Sequence, residues 1–220
     1  MSIPLNRLIA FGFLQEILQT TSVETLALEV RNVFKSTNSS SVANIILGAA
    51  ELGHLGVYQL ITETCVDKNP PSLFTTPLHK AAGRGHLSVC QFIIKNTVNK
   101  NPNICSGPTE GWTPLHFAAR SGHVEVCRLI IKHARNNDTE TPNGLTPLHY
   151  AARYGHFEVC KLIVENVYVY DKNPRSHRVF HGCWTPLGVA KKYGHLEIVR
   201  LIRSAIRKSG NFSYHNGFQL

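Results

Sequence analysis

Short apolar stripes at helical spacing recur through the middle of the chain. Val126, Leu129 and Ile130 stand at i, i+3 and i+4, and the stripe returns as Val89, Phe92, Ile93 and as Val159, Leu162, Ile163. Ahead of each stripe lies a second short segment built on an alanine pair: Ala81-Ala82, Ala118-Ala119 and Ala151-Ala152. Such pairs leave room for neighbouring helices to approach closely. Between the two segments a glycine, Gly122 for instance, supplies the left-handed residue that closes the first helix. The pattern predicts pairs of short antiparallel helices. Neither helix is long enough to be stable alone in water, so packing against neighbouring pairs must supply the stability.

The polar positions recur as regularly. Thr-Pro-Leu-His occupies 76–79, 113–116 and 146–149, and Thr185-Pro186-Leu187-Gly188 is an altered fourth copy. Nine residues after each Thr comes Gly-His, at Gly85-His86, Gly122-His123, Gly155-His156 and Gly194-His195. Thr suits a helix N-cap, where its hydroxyl can accept from a first-turn N–H. Pro follows at the first helical position, where its missing N–H costs nothing. The His is close enough to bond back to the Thr hydroxyl or to a neighbouring loop. A fixed pattern with a period of about 33 residues marks a repeat array. The stretch from Trp112 to Cys127 closely resembles the ankyrin repeat. That resemblance covers most of the chain. It implies an all-α ankyrin-repeat solenoid of paired antiparallel helices with finger loops, in which partners contact the finger tips and the first helices lining the concave side.

Aligning on Gly-His exposes a fifth, weaker unit: Ala49-Ala50-Glu51-Leu52-Gly53-His54 matches Ala81–His86 at a shift of 32, although Asn44-Ile45-Ile46-Leu47 has lost the Thr-Pro-Leu-His motif. Atypical terminal repeats are normal in such arrays. Residues 41–206 are therefore expected to form five repeats. Residues 1–40, with apolar stretches Leu5–Leu18 and Val23–Phe34, are expected to be a helical N-terminal cap or eroded repeat, and 207–220 a basic, flexible tail. Successive Thr positions lie 37, 33 and 39 residues apart. The excess falls in two long fingers, Asn96–Gly111 and Asn166–Gly182. Loops on such a scaffold often carry recognition.

Charge and candidate chemistry narrow the function. The net charge is +9, and residues 167–220 hold nine basic residues against Asp171 and Glu197. This asymmetry points to an acidic surface as a partner for the C-terminal end, or to Arg200, Arg203 and Arg207 solvating the outer face of the last helix. Basic charge without a nucleic-acid module predicts no sequence-specific nucleic-acid binding. Of twelve histidines, eight belong to the two repeat motifs; His133, His177, His181 and His215 do not. Cys90, Cys127 and Cys160 share one place in successive second helices, where Val199 stands in the last, so they are read as small core residues. Cys65, Cys105 and Cys183 show no metal-ligand spacing. Neither nucleophile motif nor phosphate loop is present, and no run is long enough to span a membrane. The expectation is a chain without catalysis, metal or cofactor, located in the cytoplasm, the nucleus or both.

Two columns supply the candidate recognition residues. The first stands just before Thr-Pro and contains Thr75, Trp112, Leu145 and Trp184; the second is the pair before the repeat glycine, which contributes Arg120, Arg153, Tyr154, Lys192 and Tyr193. Trp, Tyr and Arg are the types most common at interaction hot spots. The family resemblance thus implies non-catalytic protein binding through the concave face and fingers, as an inhibitor or adaptor. The alternative is a nuclear or chromatin-associated regulatory factor that uses the basic C-terminal end.

Overall fold

Each Thr-Pro-Leu of the sequence starts a helix, and the Gly-His after it joins that helix to its partner. A computed structural model describes residues 39–63, 75–104, 107, 109–134, 137–167, 174 and 185–208. The expected helical stretches within 1–34, most of the 166–182 finger, Trp184, Cys65, Cys105, Cys183, His177, His181 and the tail from 209 onward lie outside the described residues.

Ten helices and no strand occur among the described residues, forming five pairs: α1 Ser39–Leu52 with α2 Leu55–Glu63, α3 Pro77–Arg84 with α4 Leu87–Asn96, α5 Pro114–Ser121 with α6 Val124–His133, α7 Pro147–Tyr154 with α8 Phe157–Asn166, and α9 Pro186–Lys192 with α10 Leu196–Lys208. First helices pack on first helices and second on second, giving two layers. The five pairs run from Ser39 to Lys208, so α1 begins inside the segment assigned to the cap and α10 runs through Arg207 and Lys208, past the boundary at 206.

One continuous core runs between the layers. The alanine pairs are completely buried, as are Leu78, Leu115 and Leu148 from the Thr-Pro-Leu-His motifs and Ile93, Ile130 and Ile163 from the second helices. Cys90, Cys127 and Cys160 are free thiols within it, and Val199 takes their place in α10. Burial pushes the Cys90 and Cys127 thiols up to about 12, so they remain protonated. In α10, Ile198, Val199 and Ile202 face the core while Arg200, Arg203 and Arg207 are exposed. This polar outer face closes the stack.

Two histidine columns bolt the repeats together in opposite directions. In the Thr-Pro-Leu-His motif the Thr backbone N–H donates to the His Nδ1, at 3.2 Å in Thr76–His79, 3.1 Å in Thr113–His116 and 3.1 Å in Thr146–His149. Nδ1 is therefore the lone-pair nitrogen, and Nε2–H is the donor. His79 Nε2 donates to the Trp112 carbonyl at 3.1 Å, and His116 Nε2 to the Leu145 carbonyl at 3.2 Å, each at the base of the next finger. The Thr hydroxyls also contact Nδ1, at 2.8–3.0 Å. At Thr185, where Gly188 replaces the histidine, the hydroxyl makes the simple cap and accepts from the Gly188 N–H at 3.1 Å. In the other three copies the imidazole adds to that cap, and Thr and His form a reciprocal capping box.

The second column points the other way. Nε2 of His86, His123, His156 and His195 donates to the carbonyls of Glu51, Gly83, Arg120 and Arg153 of the preceding repeat, at 2.8, 3.2, 3.0 and 3.1 Å. Each ring lies against the preceding repeat glycine. A Cβ built on Gly122 (φ +81°) would come within 2.6 Å of the His156 ring. The glycine is thus demanded by its left-handed backbone and by its neighbour's imidazole.

Candidate interaction surface

The last turn of each first helix is where the core sequence ends and side-chain identity becomes free. Its carbonyl two residues before the glycine is held by the next repeat's histidine, so the side chain it carries is fixed in place relative to that repeat. Gly83, Arg120, Arg153 and Lys192 occupy this position in α3, α5, α7 and α9. Residues of successive repeats can therefore form a row.

From α5 to α9 that row alternates cation and ring. The Arg120 guanidinium carbon lies 5.6 Å from the Trp112 ring and 5.6 Å from the Tyr154 ring. Arg153 lies 5.8 Å from Tyr154 and 5.4 Å from Tyr193, and Lys192 Nζ is 6.0 Å from Tyr193. These are cation–π distances, each contributing about 0.5–1 kcal/mol at exposed sites. Arg120, Arg153 and Lys192 are exposed, and Tyr154 and Tyr193 remain 44% and 40% accessible. Six of the eight residues expected from the sequence thus come together in one strip.

The other two stand apart. Leu145 is half-buried and serves the finger: its N–H donates to Thr141 Oγ1 and its carbonyl receives His116. Trp184 is outside the described residues. Trp112 joins the strip from beneath, only 8% accessible, with Tyr150 of the next repeat at 4.4 Å and Phe117 at 5.1 Å between ring centroids. Its ring supports Arg120 and offers little surface of its own.

Phe117 and Tyr150 were not singled out from the sequence, yet they form the floor of this strip. The available signal was their position immediately after Thr-Pro-Leu-His, which varies as Lys80, Phe117 and Tyr150 within an otherwise repeated stretch. Burial raises the Tyr150 phenol to about 12, against the lowering influence of Arg120 and Arg153, so it stays neutral. Gly83 leaves space for Phe117, since a Cβ there would lie 3.3 Å from its ring.

The N-terminal end of the same face differs in charge. Glu51 binds both Lys80 at 3.1 Å and Arg84 at 2.8 Å. Burial raises the Glu51 carboxyl's pKa, but the hydrogen bonds and charges of Arg84 and Lys80 outweigh this and hold it below the usual range. Among the described residues, Arg120 and Arg153 have no carboxylate within ion-pair distance. Glu51 thus pairs the cations of α3, whereas Arg120 of α5 and Arg153 of α7 have no such carboxylate among the described residues.

Paired short helices, left-handed glycines and the two histidine columns fit one fold family. A model of ankyrin repeats matches in three overlapping copies, at residues 46–140, 98–176 and 132–212. The chain belongs to the ankyrin-repeat family. Ankyrin repeats generally mediate protein–protein interaction. No curated protein matches the chain significantly. Among the described residues of this ankyrin-repeat protein, no helix is long and apolar enough to cross a membrane. The described residues also contain no cluster of three or more His, Cys, Asp or Glu that could hold a metal ion.

Proposed function

We propose that this ankyrin-repeat protein is a non-catalytic interaction module. It binds a protein partner through its concave, first-helix face and finger loops, either masking a partner surface or tethering two proteins. The observation that carries this reading is the exposed strip of alternating cations and tyrosines across α5, α7 and α9. Nothing in the packing requires these side chains, because Gly83 and Ser121 occupy equivalent positions elsewhere in the array. A repeated scaffold geometry that carries unrequired, exposed side chains of these types is what a hot-spot surface needs.

The test is a quadruple substitution, Arg120→Ser, Arg153→Ser, Tyr154→Ser and Tyr193→Ser. The helical circular-dichroism spectrum and cooperative melt should stay close to those of the parent. Capture of the partner should fall steeply, since truncating one hot-spot residue costs about 2 kcal/mol or more. A folded variant that keeps full capture would move the site away from the strip.

A second reading, a nuclear or chromatin-associated regulator, draws on the exposed Arg200, Arg203 and Arg207 of α10. Their position opposite Ile198, Val199 and Ile202 is also what a solvated capping helix requires. Binding to non-specific duplex DNA, titrated with salt and lost on Arg200→Gln/Arg203→Gln/Arg207→Gln, would favour this second reading.

A further inference from the structure

Four features of the strip restrict what can lie on it, and they deepen the reading above rather than stand apart from it. The first is how the arginines are held. Arg120 is flanked by Trp112 and Tyr154, and Arg153 by Tyr154 and Tyr193, all within 5.4–5.8 Å. Rings attract a guanidinium without neutralising it, and a planar fork on an aromatic support is already ordered for carboxylate geometry. The second is charge: the matching cations at the other end, Lys80 and Arg84, already share Glu51. Arg120 and Arg153 share no such carboxylate among the described residues.

Spacing is the third feature. Both guanidiniums flank the same Tyr154 ring, at 5.6 Å and 5.8 Å, which caps their separation at about 11 Å. Acidic side chains at i and i+4 or i and i+7 of a helix rise about 6 or 10.5 Å apart, and at i and i+2 of an extended strand about 6.6 Å. One contiguous segment therefore reaches both. The fourth feature is that each ring of the strip already has a cation or an imidazole beside it. Tyr154 has Arg120 and Arg153 beside it and stacks with His156 at 6.4 Å, while Trp112 is 8% accessible. Single-stranded nucleic acid needs free aromatic platforms.

We propose that the strip from Arg120 to Lys192 is a docking track for an acidic polypeptide segment whose carboxylates engage the guanidinium edges of Arg120 and Arg153. The proposal rests on the strip being the protein-binding surface and adds the chemistry of what binds there.

A random dodecapeptide library displayed on phage, selected on the intact chain at low salt, tests it. The peptides obtained should carry two or more Asp or Glu. Synthetic copies should bind Arg120→Gln/Arg153→Gln about tenfold or more weakly, with that variant's circular dichroism unchanged. Tyr154→Leu keeps both charges but removes their shared support, and should weaken the same peptides several-fold. Arg203→Gln/Arg207→Gln on α10 should leave them unaffected. Neutral or basic peptides that still fail on the quadruple serine variant would overturn the acidic assignment while leaving the strip as the binding surface. Peptides that bind the quadruple serine variant as well as the parent would overturn both. A dodecamer of thymidylate that binds more tightly than the best peptide, and is lost on Arg120→Gln/Arg153→Gln, would replace the polypeptide by nucleic acid.

Discussion

Gly122→Val is expected to destabilise the protein by about 3 kcal/mol or more, at least twice the effect of Gly194→Val. Both glycines have φ near +80°, and a left-handed backbone costs a side-chain-bearing residue about 1–2 kcal/mol. At Gly194 the penalty stops there, because nothing lies within 4 Å of an added Cβ. At Gly122 the Cβ meets His156 Nδ1 and Cε1 at 2.6 and 2.7 Å. The ring must move, breaking the bond from His156 Nε2 to the Arg120 carbonyl. Losing that exposed bond costs about 0.5–1.5 kcal/mol, and forcing the packed ring aside about 1–3 kcal/mol more. In an array of this length, 3 kcal/mol corresponds to a fall in Tm on the order of 10 °C. The check is a pair of thermal melts. Equal losses for the two variants would mean that the Gly-His contact contributes nothing beyond backbone conformation.

The second large effect is acid lability below neutral pH. Burial pushes the imidazole of His79 down to about 4 and that of His116 to about 3; the carbonyls of Trp112 and Leu145 oppose the shift without cancelling it. Protonation would also place a proton on Nδ1, facing the N–H of Thr76 or Thr113. The unfolded chain takes up these protons near pH 6.5 and the folded chain does not, so stability falls as pH drops from about 6.5 toward 4 and 3. Each histidine contributes a slope of about 1.4 kcal/mol per pH unit within its window. Two together remove about 5 kcal/mol over two units, comparable with the whole stability of many domains. Cooperative loss of helicity should therefore occur between pH 4 and 6. His79→Gln/His116→Gln should lower stability at pH 7 and flatten its dependence on pH. A melting temperature constant from pH 7 to 4 in the parent would contradict the buried neutral state.

Much of this architecture was legible in the chain, because each repeated residue answers a local requirement. Thr-Pro opens a helix, the glycine closes it, and the apolar stripe faces inward, whatever lies further away. The contacts between repeats were less legible. Gly-His reads locally as a turn signal, yet its histidine acts on a carbonyl 33 or more residues back, at Glu51, Gly83, Arg120 and Arg153. The Thr hydroxyl was expected to cap its own helix, and it does so; the imidazole adds the reciprocal bond from the Thr N–H wherever it is present.

The strip shows the same division. Arg120, Arg153, Tyr154 and Tyr193 could be found by aligning repeats, since stacking places equivalent positions side by side. Their interleaving could not, because Arg120 reaches forward to Tyr154 and back to Trp112 through a rotamer set by two repeats at once. Trp112 was a recognition candidate from its place before Thr-Pro, but Tyr150 and Phe117 cover it. Glu51 was visible as one carboxylate in an alignment. Its effect on the charge of the whole face emerged only when Lys80 and Arg84 were seen to converge on it.

Amide hydrogen exchange of the chain with and without the partner it captures tests the central claim most directly. The account predicts slowed exchange concentrated in the last turns of α5, α7 and α9 and their closing glycines, across residues 117–122, 150–155 and 189–194. Protection confined to the fingers, or to α10 and its exposed arginines, with those three turns unchanged, would contradict it.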